Sequence, residues 1–430
     1  MIVLNYPEKE VLLKALERPQ LEQQDLTTLV SEVFHKVKAE GDAALVHYAE
    51  KFDGFKLTNF FVSPAEIQHA VDHLDSELKA AISQAARNIE EFHSAQKEGV
   101  IKVETMPGVT CWRKSVGIDK VGLYIPGGTA PLFSTVLMLA IPAKIAGCKE
   151  IILSTPCDKN GEIHPAILFA AQLVGVTKII KLGGIQAIAA LTVGTASIDK
   201  VYKIFGPGNQ YVTAAKQYAQ SQGTAIDMPA GPSEVMVVAD ESANAQFIAA
   251  DLLSQAEHGN DSQVVFLSTT DTLIKEVQIA VNEQLAILPR KEYAAKSLEY
   301  AKLIQVTKEE LVDVINEYGP EHLILSTAYN NELLENITNA GSVFIGKYTP
   351  ESLGDYASGT NHTLPTNGFA KMYSGVSLDS FVKKITYQEV TPAGLRLLGP
   401  IVEKMAAAEA LLAHKNAVTL RLKELKENGI

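Results

Sequence analysis

Between Lys120 and Ser268, short apolar runs alternate with alanine-rich segments. Lys120-Val-Gly-Leu-Tyr-Ile, Ile151-Ile-Leu-Ser, Lys178-Ile-Ile-Lys-Leu and Val201-Tyr-Lys-Ile-Phe read as strands. Segments such as Pro165 to Val174 and Gln186 to Val193 read as the helices between them. Glu234-Val-Met-Val-Val and Val264-Val-Phe-Leu-Ser continue the pattern. Strands alternating with helices imply α/β architecture: parallel sheets with helices on both faces.

The flanks differ. Residues from about Glu22 to Glu98 carry apolar positions at three and four spacings, as in Leu29, Val33 and Val37, and predict helices. The polar, glycine-bearing stretch from Lys347 to Asn367 is long for a loop inside a compact domain, and such loops are usually functional. A final helical region is expected from Val390 to Glu427. At 430 residues the chain exceeds one simple core, so two larger domains with smaller attachments are expected.

The net charge of -12 disfavours a nucleic-acid partner. No run approaches the roughly 20 apolar residues of a membrane span, so no membrane partner is expected. Met1 to Lys14 lacks the pattern of a signal peptide. Cys111, Cys148 and Cys157 show no Cys-x-x-Cys spacing, which argues against a disulfide framework or a thiolate zinc site and points to reducing cytoplasm.

Three strand-to-turn joints carry glycine: Gly122-Leu-Tyr-Ile-Pro-Gly-Gly, Leu182-Gly-Gly-Ile-Gln and Phe205-Gly-Pro-Gly-Asn-Gln. At the carboxyl ends of parallel strands such joints let a dinucleotide approach the backbone. None completes G-x-G-x-x-G, since Tyr211 stands where the third glycine belongs, and each alone reads equally as a tight turn.

The sharper signals are histidines. His35, His47, His69, His73 and His93 read as ordinary surface or partly buried residues. His258 ends a helix opening near Ser242 or Asn244, three residues after Gln255 and on its inward face. An i, i+3 pair there can ligate a metal; taken alone, it is more often a helix end whose histidine favours the dipole. Gly319-Pro-Glu-His322 sets an acid beside an imidazole at the start of a strand, suiting proton transfer or a solvent-facing turn. Asp355 and His362 lie in the long loop, where turn chemistry also favours Asp, Asn and Gly. Glu409 and His414 share a helical region, and can aim at one ligand only if the helix ends or bends between them. Gln255, His258, Asp355 and His414 together offer nitrogen and oxygen donors that suit zinc.

The blocks Gly122-Leu-Tyr-Ile-Pro-Gly-Gly, Gly206-Pro-Gly-Asn, Asp227-Met-Pro-Ala-Gly-Pro-Ser-Glu, Asp251-Leu-Leu-Ser-Gln-Ala-Glu-His-Gly, Gly319-Pro-Glu-His-Leu, Gly354-Asp-Tyr-Ala-Ser-Gly-Thr-Asn-His and Ala413-His-Lys-Asn-Ala occur in this order. Over its full length the chain resembles the histidinol dehydrogenase family. The resemblance implies Zn2+ held by Gln255, His258, Asp355 and His414, and Glu321 with His322 as the acid/base pair. It implies NAD contacts at Tyr124, Gln186 and Asn209. Contacts to the substrate, L-histidinol, would come from Ser233, Gln255, His258, Glu321, His322, Asp355, Glu409 and His414. It also implies an intertwined homodimer with a shared active site, Glu409 and His414 coming from the partner. The expected reaction oxidises L-histidinol to L-histidine through L-histidinal, without a catalytic cysteine.

The expected organisation is two larger Rossmann-like domains with parallel sheets plus smaller N- and C-terminal pieces. Residues 18–123 with 233–318 form the first, and 124–232 the second with the NAD joints. Residues 1–17 with 319–374 form a small domain, and 375–430 a small helical C-terminal one. A zinc hydrolase using Glu321 would leave the glycine joints without purpose.

Overall fold

Strands numbered along the chain are β1 Ile2–Asn5, β2 Lys102–Met106, β3 Val109–Gly117, β4 Lys120–Tyr124, β5 Glu150–Thr155, β6 Lys178–Lys181 and β7 Lys203–Phe205. They continue with β8 Ala225–Ile226, β9 Glu234–Ala239, β10 Gln263–Ser268, β11 Lys302–Gln305, β12 His322–Ser326, β13 Ser342–Ile345 and β14 Val382–Val390. The computed structural model describes residues 1–18, 26–54, 56–127, 130–229, 231–289 and 291–428. Three expected features fall partly outside them: Glu22 to Asp25 of the N-terminal helical stretch, Gly128 of the first glycine joint, and Ala230 before Glu234. The chain divides into one unit of Met1–Ala95 with Ile118–Phe381 and another of Gln96–Gly117 with Val382–Ile430.

The first unit holds two sheets. One runs β1-β11-β10-β9-β12-β13 and the other β6-β5-β4-β7-β8. Every pairing in both is parallel. This is the α/β architecture that the alternating runs predict, and both sheets wind alike. Apart from β1, which adds at one edge of the larger sheet, β9 or β4 lies centrally, the next two strands pair outward on one side, and the last two on the other. The sequence shows no repeat, because the shared feature is topology rather than residue identity.

Burial explains the runs. Every residue of β9 and β10 is buried, as parallel strands covered on both faces require. The helix Phe133–Ala146 is buried from Ser134 through Ala143, so its apolar residues run all round rather than along a stripe.

The N-terminal helices Thr27–Glu40 and Ser76–Ser94 share cores with the five-stranded sheet. Val33 and Val37 pack with Ile188 and Leu191, and Ile82 and Ile89 with Leu123 and Leu153. The expected organisation groups residues 18–123 with 233–318; in the structure, the core of 233–318 is separate. β1 joins the six-stranded sheet beside β11.

The second unit adds a strand that the expectation of a small helical C-terminal domain over 375–430 does not include. β14 pairs antiparallel with β3, which pairs with β2. The strand is hard to read because all but Val382 and Lys384 of its residues are exposed, leaving no clean inward alternation. Two helices follow, Pro392–Ala408 and Leu412–Glu427.

Candidate active site

In open parallel sheets, ligands bind outside the carboxyl ends of strands where the winding reverses. In the six-stranded sheet that point lies between β9 and β12, and protein fills it. Asp240 is buried just past β9, and its Oδ2 accepts from Ala328 N at 2.8 Å beyond β12. Its Oδ1 accepts from Ser242 N at 3.0 Å. The candidate chemistry sits at the opposite, amino-terminal edge of this sheet.

There Glu234 opens β9 and His322 opens β12, with His322 in register with Val235. Glu321 and His322 are 5% and 4% exposed, which removes the solvent-facing reading of the Gly319-Pro-Glu-His turn. Glu321 Oε2 accepts from Glu234 N at 2.7 Å. His322 Nδ1 lies 3.1 Å from the Glu234 carbonyl and 3.6 Å from Glu321 Oε2. His322 Nε2 lies 3.2 Å from Asp355 Oδ1. Both ring nitrogens thus face acceptors, the setting of an imidazolium. Burial works against that charge, but Glu321 and Asp355 together hold the ring well above the usual histidine pKa. Asp355 moves the other way: burial raises it, and the His322 bond brings it below the usual carboxylate value.

Asp355 is carried by the short helix Glu351–Tyr356. Its carbonyl is met by His362 Nδ1 at 2.7 Å, while His362 Nε2 lies 3.1 Å from Thr135 Oγ1. Gln255 is 1% exposed near the end of the helix Ala245–Ala256, and its Nε2 is buried without a partner. His258 departs from expectation. The helix stops at Ala256, so His258 sits in the following turn and is exposed instead of continuing the inward face. Its charge still bears on Asp355. Ser233 is half-buried just before β9, its carbonyl accepting from Gln263 N at 2.9 Å.

Glu409 and His414 belong to the second unit, and both are exposed. The break that their spacing demands is present. One helix ends at Ala408, Ala410 adopts φ 57°, and the next begins at Leu412.

Three residues escaped the sequence reading. Glu351, four residues before Asp355 and so on the same helix face, is 1% exposed. Its Oε1 accepts from Ser254 Oγ at 2.8 Å, Oε2 has no partner, and burial pushes its carboxyl up to about 8. Asp251 is pushed up to about 7 by burial. His93, expected at or near the surface, is fully buried at the end of Ser76–Ser94. Its Nδ1 lies 2.9 Å from the Ile89 carbonyl and its Nε2 3.4 Å from Asn361 Nδ2.

His93 gives a pH prediction. Burial holds its pKa below the usual histidine value, partly offset by the Ile89 bond. The unfolded chain therefore takes up that proton first. Stability is full above about pH 6.5 and is lost as pH falls from there through the lowered folded value. The drop in urea midpoint between pH 7.5 and 5.5 will be larger for wild type than for His93→Gln. Equal drops would remove His93 from the acid sensitivity.

The glycine joints lie at the carboxyl ends of the five-stranded sheet, where winding reverses between β4 and β7. Tyr124 ends β4, is 4% exposed, and its hydroxyl accepts from Gly184 N at 3.1 Å. Burial pushes that phenol up to about 12. Gln186 is 1% exposed, donates Nε2 to Asp53 Oδ2 at 3.2 Å, and leaves Oε1 buried without a partner. Asn209 is exposed and already occupied in part, because its Oδ1 caps the helix Gln210–Ser221 through Tyr211 N and Val212 N.

A buried ion pair braces this edge. Lys216 Nζ lies 2.5 Å from Asp227 Oδ1 and donates to the Gly206 carbonyl at 2.7 Å. Asp227 Oδ2 accepts from Gly206 N at 2.8 Å. Gly206 has φ 125°, and a Cβ there would fall 2.0 Å from the Tyr124 carbonyl oxygen. Gly206→Ala will therefore cost at least about 2 kcal/mol through backbone strain and the clash between β4 and β7. Urea unfolding checks this; an unchanged midpoint would mean that the joint yields freely.

Among the described residues, no group of three or more His, Cys, Asp and Glu is arranged as metal ligands. The donors still suit an ion. Gln255 offers the oxygen of a buried amide, Asp355 a hard carboxylate oxygen, and His258 an imidazole whose electrostatics bear on Asp355.

Two parallel α/β sheets of like winding define the class. One carries a buried carboxylate–imidazole centre and the other a glycine-lined carboxyl edge. The family model described as histidinol dehydrogenase matches residues 16–422. Histidinol dehydrogenase from Bacteroides thetaiotaomicron is 62% identical over 427 residues, covering 99% of this chain and all of that protein. The Escherichia coli K12 enzyme is 52% identical over 419 residues, covering 96% and 95%. The crystal structure of histidinol dehydrogenase from Elizabethkingia anophelis superposes with a TM-score of 0.97 at 54% identity, covering 99% of each chain. This chain belongs to the histidinol dehydrogenase family of oxidoreductases.

Proposed function

We propose that this protein oxidises L-histidinol to L-histidine through L-histidinal, the last step of histidine biosynthesis, using NAD and zinc. The observation that carries the reading is the buried Glu321–His322 pair, held between the Glu234 backbone and Asp355.

Gln255, His258 and Asp355 would hold zinc, with His414 as fourth ligand. The ion, when bound, supplies a Lewis acid and an anchor for the amine and imidazole of the substrate. NAD, when bound against Tyr124, Gln186 and Asn209, supplies the hydride acceptor for each two-electron step. The remaining chemistry belongs to the chain. His322 takes the hydroxyl proton as the alcohol carbon loses hydride, which leaves the aldehyde. Its raised pKa fits storing that proton, and its hold on the proton depends on Asp355. With the Asp355 charge engaged by a cation, His322 would lose one of its two anionic supports, its pKa would fall, and the neutral ring would be free to take a proton. Glu321, already desolvated, takes a proton from water as the water attacks the aldehyde carbon. The hydrate then loses its hydride and leaves the carboxylate. Ser233 lies beside Glu234 at the same edge and would contact substrate.

No step needs a thiol. Burial pushes the Cys148 thiol up to about 11, so it stays protonated at neutral pH.

Glu409 and His414 suit a cationic, imidazole-bearing substrate and would reach the site from a partner subunit in a homodimer. Exposed Leu397, Ile401, Met405, Leu412 and Leu420 in the second unit support such pairing. The cysteines are free thiols, which suits the cytoplasm. No helix among the described residues is long and apolar enough to cross a membrane.

The test is NAD reduction driven by L-histidinol before and after chelation. Activity lost to the chelator and restored by zinc supports the reading. Full activity in the metal-stripped protein would reject the zinc role, and no reduction with the metal present would reject the function.

A further inference from the structure

One carboxylate at the glycine-lined edge has no part in the chemistry above. Asp53 closes the π-helical turn Ala49–Asp53 and is half-buried. Among the described residues, its hydrogen-bond partner is Gln186 Nε2 at 3.2 Å. Its charge also bears on the Tyr124 phenol and the Cys157 thiol. Asp53 thus faces the end of β4, the turn after β5 and the helix after β6. The turns here pack closely on glycine: a Cβ on Gly127 or Gly183 would fall 2.1 or 2.8 Å from Pro156. Gln186 Oε1 adds a buried acceptor without a hydrogen-bond partner among the described residues.

In this winding, the acid that meets a nucleotide ribose stands at the end of the second strand. The second strand is β5, and the acid beyond it, Asp158, serves its own turn. Asp158 Oδ1 accepts from Asn160 N and from Glu162 N, each at 2.9 Å. Asp53, delivered from the N-terminal helical segment, faces the same strand end. Charge sets the choice of ligand. A carboxylate accepts from both hydroxyls of a ribose diol and repels a 2′-phosphate. Lys181, the cation that ends β6, is engaged by Glu66 and by the Gly161 carbonyl, which leaves it poorly placed to answer a phosphate.

We propose that Asp53 binds the ribose diol of the adenosine half of the dinucleotide and selects NAD over its 2′-phosphorylated counterpart. This rests on the NAD reading above. It is tested by titrating purified wild type, Asp53→Asn and Asp53→Glu with NADH and with NADPH, following nicotinamide fluorescence. Wild type is expected to prefer NADH. Asp53→Asn should weaken NADH about tenfold or more, the size of one charge-assisted hydrogen bond, and leave NADPH unchanged or tighter. Asp53→Glu keeps the charge and should keep the preference even if both affinities fall. Equal losses for both nucleotides in Asp53→Asn, no change in either, or loss of preference in Asp53→Glu would overturn the assignment while leaving NAD in place. A wild type that binds neither nucleotide would overturn the NAD reading and this inference with it.

Discussion

His322→Asn lowers turnover of L-histidinol by about 10²–10⁴-fold, the usual worth of a positioned general base. Asparagine fills similar space and still offers a polar group to the Glu234 carbonyl, but it cannot take and return a proton. Glu321 keeps its bond from Glu234 N, Gln255 and His258 are untouched, and Asp355 loses its His322 contact but keeps its carboxylate, so zinc content should stay near wild type. A metal assay beside single-turnover kinetics separates the two effects. Loss of the first oxidation with zinc retained supports the role. An unimpaired first oxidation would remove His322 as the base. Loss of zinc along with activity would make His322 a support for Asp355.

Arg18→Ala should destabilise the protein by about 3–5 kcal/mol, because it leaves a charge buried without its partner. Arg18 grips Glu234 with two bonds of 2.5 and 2.8 Å, donates to the Tyr318 carbonyl at 2.9 Å, and lies 4.0 Å over the Tyr318 ring. The Glu234 side chain is wholly buried. Burial pushes its carboxyl above the usual value even with Arg18 present, so removing the guanidinium strands a costly anion. The damage should reach the site, since the backbone of Glu234 contacts both Glu321 and His322. Urea unfolding of Arg18→Ala against Arg18→Met/Glu234→Gln checks the cause. The double variant removes the stranded charge and should recover much of the loss. A double variant as unstable as the single would show that packing, not charge, sets the cost.

The central strands of both parallel sheets are legible because residues buried on two faces read as continuous apolar runs, as in Val264 to Ser268, whereas β1, β8, β11 and β13 are too short to stand out. β2 and β14 are not legible either, since exposed residues leave no periodic signal, and β3 is half-buried along most of its length without alternation. Site legibility divides in the same way. Glu321 and His322 stand out as adjacent chemical groups, and the need for a helix break between Glu409 and His414 follows from geometry alone. His258 misled because the spacing argument assumes a helix continuing past Ala256. Glu351, Asp53 and the burial of His93 are tertiary facts. Each depends on which distant element covers the residue, and nothing local in the sequence announces that cover.

The central claim is a four-electron oxidation at one centre. The most direct test counts NADH formed per L-histidinol consumed. The account predicts two NADH and L-histidine as product. One NADH with L-histidinal accumulating, or none at all, would contradict it.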